Sequence, residues 1–228
     1  MSAPMSLRVP NKDTVNFLVR AHLMFIVVLV LIVYIPMNTH LPIDIVNECL
    51  NGVKSLIAIL TLFQILINVV AVPNYAQIKS TTFKVRNVLK VCGTLILGTL
   101  TFHCIAVLFG AQFVNSVAET FHFALLLSAT TILPSLCVLG VHFTTWVRVY
   151  SQNSPDLGPE SILCCSTIGS LVGAWSGALP IPLDWDRPWQ VWPITCVLGN
   201  LAGYLLGLCV GTTHLFLHFN KSRKFKLT

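Results

Sequence analysis

Three side chains near one end of two predicted helices could ligate a metal ion or transfer a proton. Glu119 and His122 are three residues apart, so both lie on one face of a helix, and His103 falls about two turns from the end of the preceding apolar run. A Glu-x-x-His pair ligates iron in di-iron proteins, but that site needs two pairs and further carboxylates, and this chain has one copy. We therefore expect a hydrogen-bonded helix start with a favourably placed acid, and no metal or other cofactor.

A connector rich in acids and tryptophan, residues 179–193, could form a binding surface. A helical turn here would place its three tryptophans on one side, and Asp184 could cap that turn. Tryptophan prefers the headgroup region of a membrane, which favours an interfacial anchor, but it is also enriched at the centres of protein interfaces. We predict a lumenal interface that contacts a partner's exoplasmic domain or a lipid-linked substrate. It comprises Asp184, Trp185, Asp186, Arg187, Trp189 and Trp192.

Glycines recur every four residues in the last two apolar runs. Because four residues nearly complete a helical turn, each series forms a flat stripe on one helix face. Such stripes let helix backbones approach closely in lipid. Two interpretations stay open: the two helices pack on each other, or a stripe receives a helix of a partner protein. The partner-packing prediction concerns Gly169, Gly173, Gly177, Gly199, Gly203, Gly207 and Gly211.

Six apolar runs must position these groups. Hydrophobic residues make up 55% of the 228 residues and charged residues 10%, whereas soluble domains carry roughly 25% charged residues. A span needs about 20 apolar residues, so the chain has room for several spans but not for a separate catalytic domain of about 100 residues. We predict an all-α integral membrane protein with a single polytopic domain, residues 1–228. The predicted spans are residues 15–35, 55–72, 91–109, 121–139, 161–181 and 194–217, with short cytosolic tails at 1–14 and 218–228.

The basic residues predict the orientation of these spans. With six spans and a cytosolic N-terminus, the exoplasmic side holds only Lys54 and Arg187. This positive-inside asymmetry predicts that both termini are cytosolic, and it explains the net charge of +6 without nucleic acid. The cytosolic set is Arg8, Lys12, Arg20, Lys79, Lys84, Arg86, Lys90, Arg148, Lys221, Arg223, Lys224 and Lys226.

Two lysines at the carboxyl end match an address signal. Lys224 and Lys226 have the spacing of the dilysine retrieval signal of endoplasmic reticulum membrane proteins, which a receptor reads. A plain stop-transfer cluster would explain the same charges. We predict a multi-pass protein of the endoplasmic reticulum membrane.

The stretch from Val172 to Pro193 resembles the signature of the phosphatidylinositol-glycan biosynthesis class F (PIG-F) family almost residue for residue. The matching runs are Val172–Trp175, Gly177–Trp185 and Arg187–Pro193, with weaker matches at residues 109–111, 119–121, 139–140 and 146–149. The likeness is close over the second half of the chain, and it rests on hydropathy alone in the first two spans.

This resemblance implies a non-catalytic stabilising subunit. Its partners would be the large catalytic subunits, classes O and G, of the glycosylphosphatidylinositol (GPI) ethanolamine phosphate transferases, each in a heterodimeric membrane complex. Those complexes move ethanolamine phosphate from phosphatidylethanolamine to the third and second mannoses of the GPI-anchor precursor. The metals of the reaction would belong to the catalytic subunit's lumenal domain.

Two other classes of function stay open. A small integral-membrane enzyme acting on lipid headgroups would use Glu119, His122, His103 and Asp184 as its polar groups. A lipid carrier or flippase would use a fourth span kinked at Pro134 and the polar face formed by Gln64 and Asn68. The apolar cores of the six spans contain no Asp, Glu, Lys or Arg, which argues against an ion-coupled carrier.

Overall fold

Helices are the only regular secondary structure in the part of the chain that the structure, a computed structural model, describes: residues 12–39, 46, 48–75, 85–112 and 114–225. This confirms the predicted all-α class. A π-helical turn, Val147–Ser151, continues the short helix α5, and a 3₁₀ turn, Pro188–Gln190, precedes the last helix. The helices are α1 (Lys12–Thr39), α2 (Cys49–Tyr75), α3 (Val85–Leu108), α4 (Val117–Leu139), α5 (Phe143–Trp146), α6 (Pro159–Gly177) and α7 (Ile194–Phe225).

Five helices in the described ranges are long and apolar enough to cross a membrane. The stretches that qualify are Val15–Ile35, Cys49–Leu66, Leu89–Leu108, Val117–Leu139 and Ile194–Lys221, and each overlaps a predicted span. The predicted span at 161–181 corresponds to α6, which is not among the five. That helix has 19 residues, begins with Pro159 and Glu160, is rich in serine and glycine, and ends at Gly177 ahead of two prolines.

The long helices form a closed ring with one helix outside it. Around the ring, α1 contacts α2, α2 contacts α4, α4 contacts α6, α6 contacts α7, and α7 contacts α1. The most extensive of these contacts joins α6 to α7, and α3 packs on the outer side of α4. Helix α4 therefore touches α2, α3, α6 and α7 and forms the centre of the bundle.

Burial follows this arrangement. In α4, 72% of the membrane-span residues are buried inside the protein, compared with 11% in α3. The main apolar core contains residues of α1, α2, α4, α6 and α7, including Phe25, Leu56, Leu126, Ile162 and Tyr204. Exposed apolar side chains on α3 face the surroundings, as expected for a helix in lipid.

Neutral polar groups join the helices inside this apolar core. The Thr130 hydroxyl lies 3.3 Å from Asn200 Oδ1, and Thr99 donates to Ser128 across α3 and α4 at 3.1 Å. The Tyr204 hydroxyl donates to Gln64 Oε1 at 3.1 Å. Such bonds contribute roughly 1 kcal/mol each in lipid, so they fix helix register more than they drive association.

Candidate partner and membrane interface

The two glycine stripes face each other where α6 packs antiparallel to α7. A Cβ added at Gly173 would lie 2.9 Å from the Cα of Gly203, and one added at Gly199 would lie 2.9 Å from the Cα of Gly177. Near the other end of α6, a Cβ at Gly211 would lie 2.7 Å from the Cα of Ile162. The atoms in the way are backbone atoms, which cannot rotate aside. The two backbones therefore touch along nearly the whole of α6.

The partner-packing role predicted for these glycines is consequently wrong. Gly169 and Gly207 complete the same contact, because a Cβ at Gly169 would meet the Cα of Gly207 at 3.2 Å. A glycine stripe can receive only one helix. Here α7 occupies the stripe of α6, and α6 occupies the stripe of α7. The structure shows the alternative interpretation, in which α6 and α7 pack on each other.

The connector between α6 and α7 is held in shape by one glutamine. Gln190 Nε2 donates to the carbonyl of Pro180 at 2.6 Å and also to the carbonyl of Leu183. Gln190 Oε1 accepts from the backbone N–H of Arg187 at 3.3 Å. One side chain thus links three points of the loop, and no sequence pattern had singled it out.

The three tryptophans of this loop do not share one side, contrary to the prediction. The only helical turn in the loop is Pro188–Gln190, whose N-cap position is Arg187 and not Asp184. Trp192 faces inward: its Nε1 donates to the Thr120 hydroxyl at 3.0 Å, and its ring meets that of Phe123 at 5.4 Å. Trp192 therefore anchors the loop to the start of α4.

The remaining predicted interface residues stay at the surface. Asp184, Asp186, Arg187 and Trp185 are exposed, and Trp185 retains 54% of its accessible surface. Trp189 is half-buried and contacts the indole of Trp185, with ring centroids 6.0 Å apart and an angle of 64° between the planes. The structure thus divides the predicted interface into an inward anchor and an outward-facing group.

The predicted polar site at Glu119, His122 and His103 is not assembled as a metal centre. His122 Nδ1 bonds to the carbonyl of Ala118 in its own helix at 2.7 Å, and its ring lies beside Phe121. His103 also neighbours Phe121, with centroids 6.3 Å apart. Within the described residues no group of three His, Cys, Asp or Glu side chains could hold a metal ion.

A second polar cluster, which the sequence did not reveal, lies between α4 and α6. Arg148 in the π-helical turn donates to both carboxylate oxygens of Glu160 at 2.7 and 2.9 Å, and to the carbonyl of Ser154 at 2.8 Å. This hydrogen bonding raises the pKa of Arg148, so the guanidinium stays charged. Glu160 also accepts the backbone N–H of Asp156 at 2.8 Å. The ion pair fixes the loop to the first turn of α6.

Tyr150 extends this connection into the bundle. Its hydroxyl lies 2.6 Å from the Ser135 hydroxyl of α4 and 3.2 Å from the Thr167 hydroxyl of α6. Burial raises the pKa of Tyr150, so the phenol remains protonated. The π-helical turn is what aims Arg148 and Tyr150 at different partners, and a one-dimensional pattern does not show it.

The predicted retrieval signal lies at the limit of the described chain. Lys224 falls in the last turn of α7, but its side chain is not described, and Lys226 lies outside the described residues. The dilysine signal therefore stays a prediction.

Comparison with known proteins identifies the family to which this chain is similar. The family model described as GPI biosynthesis protein family Pig-F matches residues 16–212. The human protein named GPI ethanolamine phosphate transferase, stabilizing subunit, is 39% identical over 212 residues, which is 92% of this chain and 96% of the human one. The mouse protein of the same name is 42% identical over 167 residues, 73% of this chain and 75% of the mouse chain.

A fungal relative contains a segment similar to this chain within a fusion protein. The Schizosaccharomyces pombe protein named PIGF/3-ketodihydrosphingosine reductase fusion protein is 39% identical over 118 residues, 52% of this chain and 24% of the fusion. No solved structure matches the chain. The family match, which covers most of the helical bundle, and the identity to the human protein over nearly the whole chain agree with the resemblance of residues 172–193, and the chain belongs to the GPI biosynthesis protein family Pig-F.

Proposed function

We propose that this chain is the stabilising subunit of the complexes that transfer ethanolamine phosphate from phosphatidylethanolamine to the third and second mannoses of the GPI-anchor precursor. The observation that carries this proposal is the 39% identity over 92% of the chain to a human protein named for that role. The catalytic partners would be the large transferase subunits of classes O and G. The chain itself would make and break no bonds.

The packing of the chain supports an accessory role. Its most extensive helix contact is between α6 and α7, and two pairs of polar side chains in its core, Thr130–Asn200 and Thr99–Ser128, are hydrogen-bonded across helices. His122, one of the four residues of the enzyme hypothesis, bonds to a carbonyl of its own helix, and no group of three His, Cys, Asp or Glu side chains among the described residues could hold a metal ion. The relatives' names likewise do not favour an enzyme or a lipid carrier.

We propose six spans and cytosolic termini, with α6 as the sixth. A helix of 19 residues is about 28 Å long, close to the roughly 30 Å of the hydrocarbon core. Helix α6 also lies antiparallel to α7 from Ile162 to Gly177, so a bilayer crossed by α7 contains α6 as well. An even number of spans puts both termini on the side that carries most of the lysines and arginines.

The location proposed is the endoplasmic reticulum membrane, where Lys224 and Lys226 would be read as a retrieval signal. In this orientation the loop between α6 and α7 is lumenal. We propose that its outward-facing group, Asp184 to Arg187, lies beneath the lumenal domain of the catalytic subunit. That subunit's helices would pack on a face of the bundle other than the glycine stripes.

Co-purification tests this function directly. The tagged chain, extracted in mild detergent from cells that lack their own copy, should recover a large transferase subunit, and the recovered complex should transfer ethanolamine phosphate. The chain purified alone should not. Transfer by the isolated chain, abolished by Glu119→Gln, would support the enzyme hypothesis instead. Lipid scrambling by the isolated chain in vesicles would support the carrier hypothesis.

A further inference from the structure

We propose that the proline turn of α4 binds one buried water molecule between α4, α6 and α7. Its ligands are the backbone carbonyl of Thr130, the side-chain amide of Asn200 and the hydroxyl of Ser170. We call these three groups the proline water site. The inference concerns the centre of the bundle, and it does not depend on the proposed function.

A proline inside a helix leaves one carbonyl without its donor. Pro134 lies within α4 and is buried. Proline has no backbone N–H, so the carbonyl four residues earlier, that of Thr130, loses its helical hydrogen bond. The hydroxyl of Ser135, which follows the proline, donates to the Thr131 carbonyl instead. Membrane helices tolerate proline where a neighbouring helix, a hydroxyl or an ordered water replaces the missing donor.

Helix α7 brings an unused amide group to the same residue. Asn200 has no exposed surface, and one end of its amide lies 3.3 Å from the Thr130 hydroxyl. Its Nδ2 has no hydrogen-bond partner among the described residues. Since only one end of the amide contacts that hydroxyl, a polar end stays free whichever way the amide is turned. A free polar end in an apolar core destabilises the fold unless it finds a partner.

Helix α6 adds a hydroxyl at the same level of the bundle. Leu139 of α4 and Leu163 of α6 share a small apolar cluster, and one turn further Ser135 and Thr167 bond the same tyrosine hydroxyl. Numbers fall along α4 as they rise along α6, so the two helices are antiparallel. About one turn further again, Ser170 is level with the turn of α4 that precedes the proline. Ser170 has no exposed surface, and its hydroxyl bonds to no described residue.

One water molecule can satisfy all three groups. It would accept from the Asn200 amide, donate to the Thr130 carbonyl and share a bond with the Ser170 hydroxyl, and three such bonds are typical of a buried water. Asn200 Nδ2 and the Ser170 hydroxyl make no direct bond to each other, so a bridging molecule suits their separation. The three groups are neutral, which favours water over an ion.

Alanine at position 170 tests whether that hydroxyl is bonded. Removing a buried hydroxyl that has no partner is neutral or stabilising, because the folded protein then loses an unsatisfied group. Removing a hydroxyl that binds the water breaks a hydrogen bond instead. Ser170→Ala should therefore lower the thermal midpoint of the full chain in detergent by about 2–4 °C. The matched control is Ser166→Ala in the same helix, because Ser166 is 2% exposed and its hydroxyl bonds to the Leu163 carbonyl at 3.0 Å.

Alanine at position 134 tests whether the carbonyl belongs to the same site. Pro134→Ala returns a helical N–H to the Thr130 carbonyl, so the water loses one of its acceptors. In that background the midpoint loss caused by Ser170→Ala should shrink to less than about half, because both substitutions act on one shared ligand. Ser166→Ala should have the same effect in both backgrounds, since its hydroxyl bonds within α6. Additive effects of Ser170→Ala and Pro134→Ala would contradict the proposal.

Nuclear magnetic resonance of the full chain in detergent, with ¹⁵N-labelled asparagine, detects the water itself. The side-chain signals of Asn200, identified by their loss in Asn200→Leu, should show a nuclear Overhauser cross-peak to water. That cross-peak should persist in Ser166→Ala and be lost in Ser170→Ala and in Pro134→Ala. A wild-type spectrum without it, or an unchanged or raised midpoint in Ser170→Ala, would overturn the proposal. A cross-peak that survives both substitutions would arise from exchange of the Thr130 hydroxyl, and it would overturn the proposal as well.

Discussion

Helices α6 and α3 both pack against α4 and differ in how they are held. In α6 the backbone itself is the contact surface, because three glycines meet the glycines of α7. Helix α3 carries two glycines: a Cβ added at Gly98 would lie 2.9 Å from Cγ1 of the Ile132 side chain, and one added at Gly93 would meet no atom within 4 Å. The comparison teaches that a glycine in a membrane helix can face another backbone, a side chain or open space, and that only the regular series in α6 and α7 brings two backbones together.

The side-chain bonds between helices separate the same two regions, the group α4, α6 and α7 and the outer helix α3. Helices α4, α6 and α7 are joined through Asn200, Tyr150 and Arg148, in addition to the glycine contact. Helix α3 is joined to α4 by the single described bond between Thr99 and Ser128. We therefore expect substitutions in the first region to destabilise the protein far more than equivalent ones in α3.

The largest expected effect is that of Gly203→Leu. Its Cβ would lie 2.9 Å from the Cα of Gly173, and α6 and α7 would have to separate along the stripe. Overpacking of a core costs about 1–3 kcal/mol and more where backbone must move, so we expect most of the protein to be lost as aggregate in size-exclusion chromatography. The matched control, Gly93→Leu in α3, should behave as wild type. Equal loss from both variants would contradict the comparison.

Arg148→Met should have the next largest effect. It leaves the carboxylate of Glu160, whose side chain is 17% exposed, without its bidentate partner. An unpaired, largely buried carboxylate costs roughly 1–3 kcal/mol, which would appear as a lowered thermal midpoint. Arg148→Lys should recover part of the loss, because the charge returns without the forked geometry. If the methionine variant melts as wild type does, the ion pair does not hold the loop.

Asn200→Leu should have a smaller effect, about 1 kcal/mol. It removes the bond to Thr130 between α4 and α7 at a position with no exposed surface. The control is Thr101→Val in α3, where the hydroxyl bonds only to the Leu97 carbonyl of its own helix. Thermal melting in detergent should separate the two. A larger loss from the α3 substitution would reverse the proposed order of the two regions.

His122→Ala should have the smallest effect, close to zero in both thermal midpoint and transferase activity of the purified complex. The ring bonds to its own helix and contacts Phe121, so its removal exposes nothing that was buried between helices. Loss of activity at unchanged stability would revive the polar site at Glu119, His122 and His103.

Much of this fold could be predicted because lipid imposes simple rules on sequence. The lengths of the apolar runs predicted the five helices that are long and apolar enough to cross a membrane. The four-residue glycine period predicted which faces of α6 and α7 are flat. Periodicity gives a face but not its neighbour, which is why the choice between self-packing and partner-packing stayed open until the Gly173–Gly199 contact was seen.

The loop was harder to predict because its shape depends on side chains bonding to distant backbone atoms. Gln190 reaches the Pro180 carbonyl, and Trp192 reaches Thr120 of another helix. Neither of these contacts produces a periodic pattern in the sequence. The spacing of the tryptophans suggested one helical face, but the prolines restrict the helical turn to Pro188–Gln190.

The central claim is that the chain keeps a catalytic subunit stable and leaves the transfer reaction to it. Pulse-chase measurement of the half-life of that subunit, in cells with and without this chain, tests the claim most directly. We predict a markedly shorter half-life without the chain, restored by wild type and by Gly93→Leu but not by Gly203→Leu. A half-life that does not change when the chain is removed would contradict the account.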